Sequence, residues 1–207
     1  MIHRFSLLAG LRSLRHGRLV AVWLCAYLAL TSPSWAAREV RGVGFSDQDQ
    51  VAGQPVQLNG AGVRVKVVVD VYAAGLYLPH RDSTVQGVLD MPGAKSMHIV
   101  LLRDLTGEDF ADAMVKSFRR NNTDADVAKF QARIDMIRDT MMGLGKVAKG
   151  TSIHIDFAPG VGTRAVIAGV QKGPDIPGAD FYTALLRIWL GSRPVDDDLK
   201  VALLGGH

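Results

Sequence analysis

The 207-residue chain has one cysteine, Cys25, and it lies inside an N-terminal apolar run. Downstream of that run there is no thiol. Disulfides, Cys-ligated zinc, iron–sulfur clusters and cysteine nucleophiles are therefore excluded from the folded part, and an oxidising compartment is compatible with it. Acidic residues are missing from positions 1–36 altogether, whereas Arg4, Arg12, Arg15 and Arg18 all fall there. The formal charge of +4 comes from this segment, because of 24 basic residues 20 remain beyond it against 20 acids. A folded part without basic excess lacks what a phosphate backbone requires, so nucleic acid is not an expected partner. The chain also lacks a Gly-x-Ser-x-Gly elbow, a glycine loop ending in Gly-Lys-Ser/Thr, and ligand spacing among His80, His98 and His154. Neither a metal nor a cofactor is expected from these patterns.

The first 36 residues have the three parts of a signal peptide. A basic stretch ends at Arg18, an apolar run spans Leu19 to Leu30, and Ser34-Trp35-Ala36 puts small residues where a signal peptidase acts. Cleavage is predicted after Ala36, and the mature part is expected to be periplasmic or secreted. The apolar run is shorter than the roughly 20 residues that span a bilayer, so membrane contact is expected only in transit. Residues 37–207 contain no repeat and no linker, which reads as one domain.

Within that domain, Glu39–Phe45 and Gln54–Leu58 read as short strands, and Asn59-Gly60-Ala61-Gly62 reads as a turn. Val63 to Leu78 alternates with period two and is predicted to form one long strand. A short amphipathic piece over Thr84–Leu89 and a strand over Ser96–Leu102 follow. Thr106 with Asp109 and Thr123 with Asp126 mark two helix starts ahead of apolar stripes. Thr151–Phe157 and Arg164–Val170 read as a hairpin. Pro177-Gly178 opens a greasy helix that Gly191 stops, and a last helix runs from Pro194 to Leu204. Strands, then helices, a hairpin and helices again argue for an α+β fold with a largely antiparallel sheet covered by helices.

One face of the long alternating segment carries Arg64, Lys66 and Tyr72 among Val68, Ala74 and Leu76. A guanidinium and a phenol beside apolar surface can hold the carboxylate of a greasy acid. A solvated face with Arg64 paired to an acid such as Asp70 is the plainer alternative. On a straight strand Arg64 and Tyr72 would stand roughly 26 Å apart, too far to share one head group without a bend.

Four ordered blocks carry a resemblance. They are Asn59-Gly60-Ala61-Gly62-Val63-Arg64, Val71 to Leu78, Leu102 to Phe110, and Ile176-Pro177-Gly178 through Trp189-Leu190-Gly191. Together they are similar to the bacterial chalcone isomerase-like proteins, which implies an open-faced sandwich of that type. Plant chalcone isomerases close an enone with donors preplaced where oxyanion charge develops. The resemblance puts Arg64 at the family's arginine and Tyr72 at its threonine. Phe110, Ala113 and Ser117 stand where the enzyme has tyrosine, lysine and asparagine. Fatty-acid-binding relatives of the fold imply instead a non-catalytic site for a small amphipathic acid, held by Arg64 and Tyr72 with Lys66 or Tyr182 as further contacts. An isomerase acting on a chalcone-like enone is the alternative.

Overall fold

A computed structural model describes residues 37–206. The segment read as a signal peptide lies outside the described residues. Among the described residues eleven strands and five helices follow one another as β1 (Ala37–Val40), β2 (Val43–Ser46), β3 (Gln48–Val51), β4 (Gln54–Lys66), β5 (Val69–Leu78), α1 (Val85–Asp90), β6 (Lys95–Leu101), β7 (Leu105–Thr106), α2 (Gly107–Asn121), α3 (Asp124–Met142), β8 (Lys146–Val147), β9 (Ser152–Ala158), β10 (Gly162–Ile167), β11 (Val170–Ile176), α4 (Ala179–Leu190) and α5 (Asp197–Leu203). The main sheet has seven strands in the order β11-β10-β9-β6-β5-β4-β3 and is antiparallel at every pairing. It curls, so that β3 at one end of the order also touches β9. The fold is α+β, as the element order implies.

The helices form where capping and apolar spacing agree. Thr106 accepts from the Asp109 amide at 3.0 Å and Thr123 from the Asp126 amide at 3.1 Å, each satisfying an orphan donor of a first turn. α2, α3 and α4 pack on one face of the sheet. There Phe118, Phe130 and Phe181 meet one another, and the even-numbered β5 residues Tyr72, Ala74, Leu76 and Leu78 form the floor. The opposite face carries a smaller core under β1 and β2, where Phe45 lies edge-on to His98 at 5.3 Å. His98 in turn stacks on His154 at 4.0 Å.

Three local readings of the sequence are corrected. Glu39–Phe45 is a hairpin, β1 with β2, reversed at Arg41 and Gly42, both with positive φ. Asn59-Gly60-Ala61-Gly62 is not a turn but the middle of β4. A Cβ on Gly60 would collide with the Ala202 carbonyl oxygen, and one on Gly62 would lie 2.6 Å from the Ala202 Cβ, so these glycines let α5 lie directly on the strand. Val63–Leu78 is two strands rather than one. The chain reverses at Val67-Val68, with Lys66 opposite Val69 and Val67 at φ 63°, a left-handed conformation that β-branched residues rarely adopt. No Gly, Asn or Asp signals that turn, whereas the valine run signals strand.

Candidate functional site

The Val67-Val68 reversal decides the site. It folds β5 back on β4 so that Arg64 and Tyr72 are register partners. The straight-strand separation is replaced by the roughly 5 Å between facing antiparallel residues. The Arg64 guanidinium carbon lies 5.5 Å from the centre of the Tyr72 ring. Both side chains project from the helix-covered face, beneath α2 and α4.

They meet an apolar hollow walled by Phe110 and Met114 of α2 and by Ile188 and Trp189 of α4. Ala113 also lines it, so two of the positions where the enzyme pattern has polar groups bring only hydrocarbon here. Ser117, the third, is buried on α2 and is not among the lining residues. The hollow encloses only about 20 Å³. Trp189 is one of its walls, and its indole Nε1 donates to the Tyr72 hydroxyl at 2.9 Å.

Arg64 is half-buried, and its Nε is fully enclosed without a hydrogen-bond acceptor. Among the described residues it forms no ion pair. Asp70, the acid suggested as its partner by sequence, is bound to Arg41 at 3.0 Å instead. The Asp196 carboxylate close by is consumed by backbone. It accepts from Val65 N at 2.9 Å beside the β4 bulge, and from Leu199 N at 2.9 Å as the α5 cap. Burial pushes the Tyr72 phenol up against the opposing pull of Arg64, so the ring keeps its proton at neutral pH. That oxygen accepts from Trp189 and retains its own O–H to donate. The site therefore presents two convergent donors, a guanidinium and a phenol, against an apolar wall.

Lys66 and Tyr182 are not brought to this point. Lys66 is exposed beside the hairpin tip. Tyr182, near the start of α4, is buried and donates to the Ile155 carbonyl at 3.0 Å. Trp189 and Asp196 are the site residues that sequence reading missed. The indole looked like one more core residue of a greasy helix. Asp196 was legible as a helix-start acid, but nothing in the chain order says that β4 lies under that helix start.

The chain belongs to the chalcone isomerase-like family, whose profile matches residues 37–205. No curated protein sequence matches it. Among solved structures, a fatty-acid binding protein of Arabidopsis thaliana is similar with a TM-score of 0.58 and 14% identity, over 79% of this chain and 92% of that one. At that identity the likeness establishes the fold.

Proposed function

We propose that the protein binds a small amphipathic carboxylic acid, such as a fatty acid, at Arg64 and Tyr72 and does not transform it. The observation that carries this reading is the Arg64 guanidinium, held beside apolar surface with its Nε enclosed and unanswered by any acid. A buried donor without an acceptor costs about 1–3 kcal/mol, and a ligand carboxylate would remove that cost. Tyr72 supplies the second donor, and the hydrocarbon of Phe110, Met114 and Ile188 suits an apolar tail. The fatty-acid binding neighbour of the same fold supports the same ligand class. Against catalysis, the wall positions Phe110 and Ala113 offer no proton donor or cation to a developing oxyanion.

The hollow must open to work, because pockets that enclose small ligands run to about 300–1,000 Å³. Trp189 and the first turns of α2 are the side to move, since the other wall is sheet. The test is calorimetric titration of the protein with dodecanoate, beside a chalcone cyclisation assay. Arg64→Ala is expected to lose one bound dodecanoate per chain, Tyr72→Phe to weaken that site about tenfold, and cyclisation to stay at the uncatalysed rate. Turnover that disappears in Arg64→Ala would establish the isomerase instead.

The N-terminal basic and apolar pattern supports export to the periplasm with cleavage after Ala36. Cell fractionation with N-terminal sequencing tests this, the expected first residue being Ala37. A chain retained in the cytoplasm with its original N-terminus would overturn it.

A further inference from the structure

A second cation is buried at the other end of α4. Lys95 opens β6 and is only 3% exposed, yet it makes no hydrogen bond or ion pair among the described residues. Its place in the strand explains the burial. Lys95, Met97, Ile99 and Leu101 alternate onto the same side as the main core, so the lysine extends an apolar row. It lines a groove of about 560 Å³ walled by Met91, Phe157, Val161 and Tyr182. Val161, on the β9–β10 turn, is an exposed apolar lip at 39%.

Pro177, Gly178 and Ala179 form the far wall, where α4 begins. Gly178 is the N-cap of that twelve-residue helix and supplies no side-chain acceptor to its first turn. Asp180 in that first turn accepts from the Phe181 amide at 2.9 Å and is paired with Lys129 and Arg133, so the cation facing the groove is Lys95 itself. Two further titratable groups line the groove. Asp90, exposed on α1, is bonded by the Gln86 amide at 2.6 Å, and the Tyr182 hydroxyl is committed to Ile155.

We propose that this groove is a second binding site for an apolar carboxylic acid, with the Lys95 ammonium holding the head group and the Phe157, Val161 and Tyr182 surfaces taking the tail. It is separate from the Arg64 hollow. Tyr182 and Trp189 are seven positions apart on α4, or roughly 10 Å along the helix axis. It differs also in being already open. Burial pushes the Lys95 ammonium down to about 8, with Asp90 opposing, so the amine is largely charged at pH 7 and neutral above that value. Only the charged form attracts a carboxylate, so affinity at this site falls as pH rises through 8.

Reductive methylation followed by peptide mass spectrometry reads Lys95 directly in the unaltered protein. Dodecanoate is expected to slow Lys95 modification at least tenfold while leaving the exposed Lys66 unaffected. In an Arg64→Ala background, where only this site remains, titration is expected to find one dodecanoate per chain, with affinity at least tenfold weaker at pH 10 than at pH 7. Adding Lys95→Met should abolish that binding, and Lys95→Arg should keep it. Unprotected Lys95, or dodecanoate binding in Arg64→Ala that survives Lys95→Met, would overturn the proposal. Loss of all binding in Arg64→Ala alone would overturn it too while leaving the Arg64 site standing.

Discussion

The two ends of α4 face the same sheet with the same apolar chemistry, and each covers a cation, half-buried Arg64 or buried Lys95, that forms no ion pair among the described residues. They differ in what stands over the cation. At the C-terminal end Trp189 bonds Tyr72 and helps wall an Arg64 hollow of only about 20 Å³. At the N-terminal end Lys95, itself only 3% exposed, lines a groove of about 560 Å³. On the two proposals, one helix would carry a gated site and an open one. The difference teaches that an unpaired cation and accessible volume are separate features: both ends have the first, and only the N-terminal end has the second.

Removing the gate should have the largest effect. Trp189→Ala deletes a buried indole and strands the Tyr72 hydroxyl, at a cost of about 3–5 kcal/mol in urea unfolding. It should also speed dodecanoate entry at Arg64 in stopped-flow fluorescence while leaving the Lys95 groove unchanged. Gly60→Ala tests the glycine seat of α5 next to the gated end. The new methyl meets the Ala202 carbonyl, backbone that cannot turn aside, and the expected loss is about 2–3 kcal/mol in the same measurement.

His98 provides a control on the opposite face, away from both ends of α4. Burial, with His154 adding to it, holds its imidazole down at about 4. The unfolded chain takes up this proton near pH 6.5 and the folded chain only near 4, so the unfolded state binds more protons in between. The stability concerned is fully present above pH 6.5 and is lost as pH falls toward 4. Roughly 3 kcal/mol is at stake. His98→Gln should flatten the acid limb of the stability profile without altering dodecanoate binding at either end.

Arg64→Met separates binding from folding. It removes the enclosed unanswered donor, so the variant should gain about 1 kcal/mol while losing the gated site, the exchange expected of a residue kept for its ligand. Equal or lower stability in chemical denaturation would mean that Arg64 is structurally satisfied. The smallest effect belongs to Val67→Asn, which suits the left-handed φ of 63° better than a β-branched residue. It should add about 0.5–1 kcal/mol and preserve dodecanoate affinity, because the Arg64–Tyr72 register is unchanged.

Much of the fold was legible before any coordinates. Thr106 and Thr123 announce α2 and α3 because a capping hydroxyl and an apolar stripe act within one or two turns, and the Arg164 hairpin and Gly191 stop are equally local. Arg64 and Tyr72, a cation and a phenol in an apolar segment, were legible as candidates, whereas Lys66 and Tyr182, named beside them, do not line the same hollow. Lys95 carried a signal that went unused, a lysine in period-two register with Met97, Ile99 and Leu101.

What the sequence determined by itself was therefore the α+β class, the capped helices, and a cation and a phenol as candidate ligand contacts. Tertiary structure alone decided that Asn59–Gly62 is strand and that Val67-Val68 is a turn. It also decided that Arg64 faces Tyr72, and that Trp189 closes one end of α4 while the other stays open. The physical reason is range. Caps and periodicity are written within a few residues, whereas a glycine seat under a helix 140 residues away, or a valine forced to positive φ, is imposed by packing that only the assembled chain supplies.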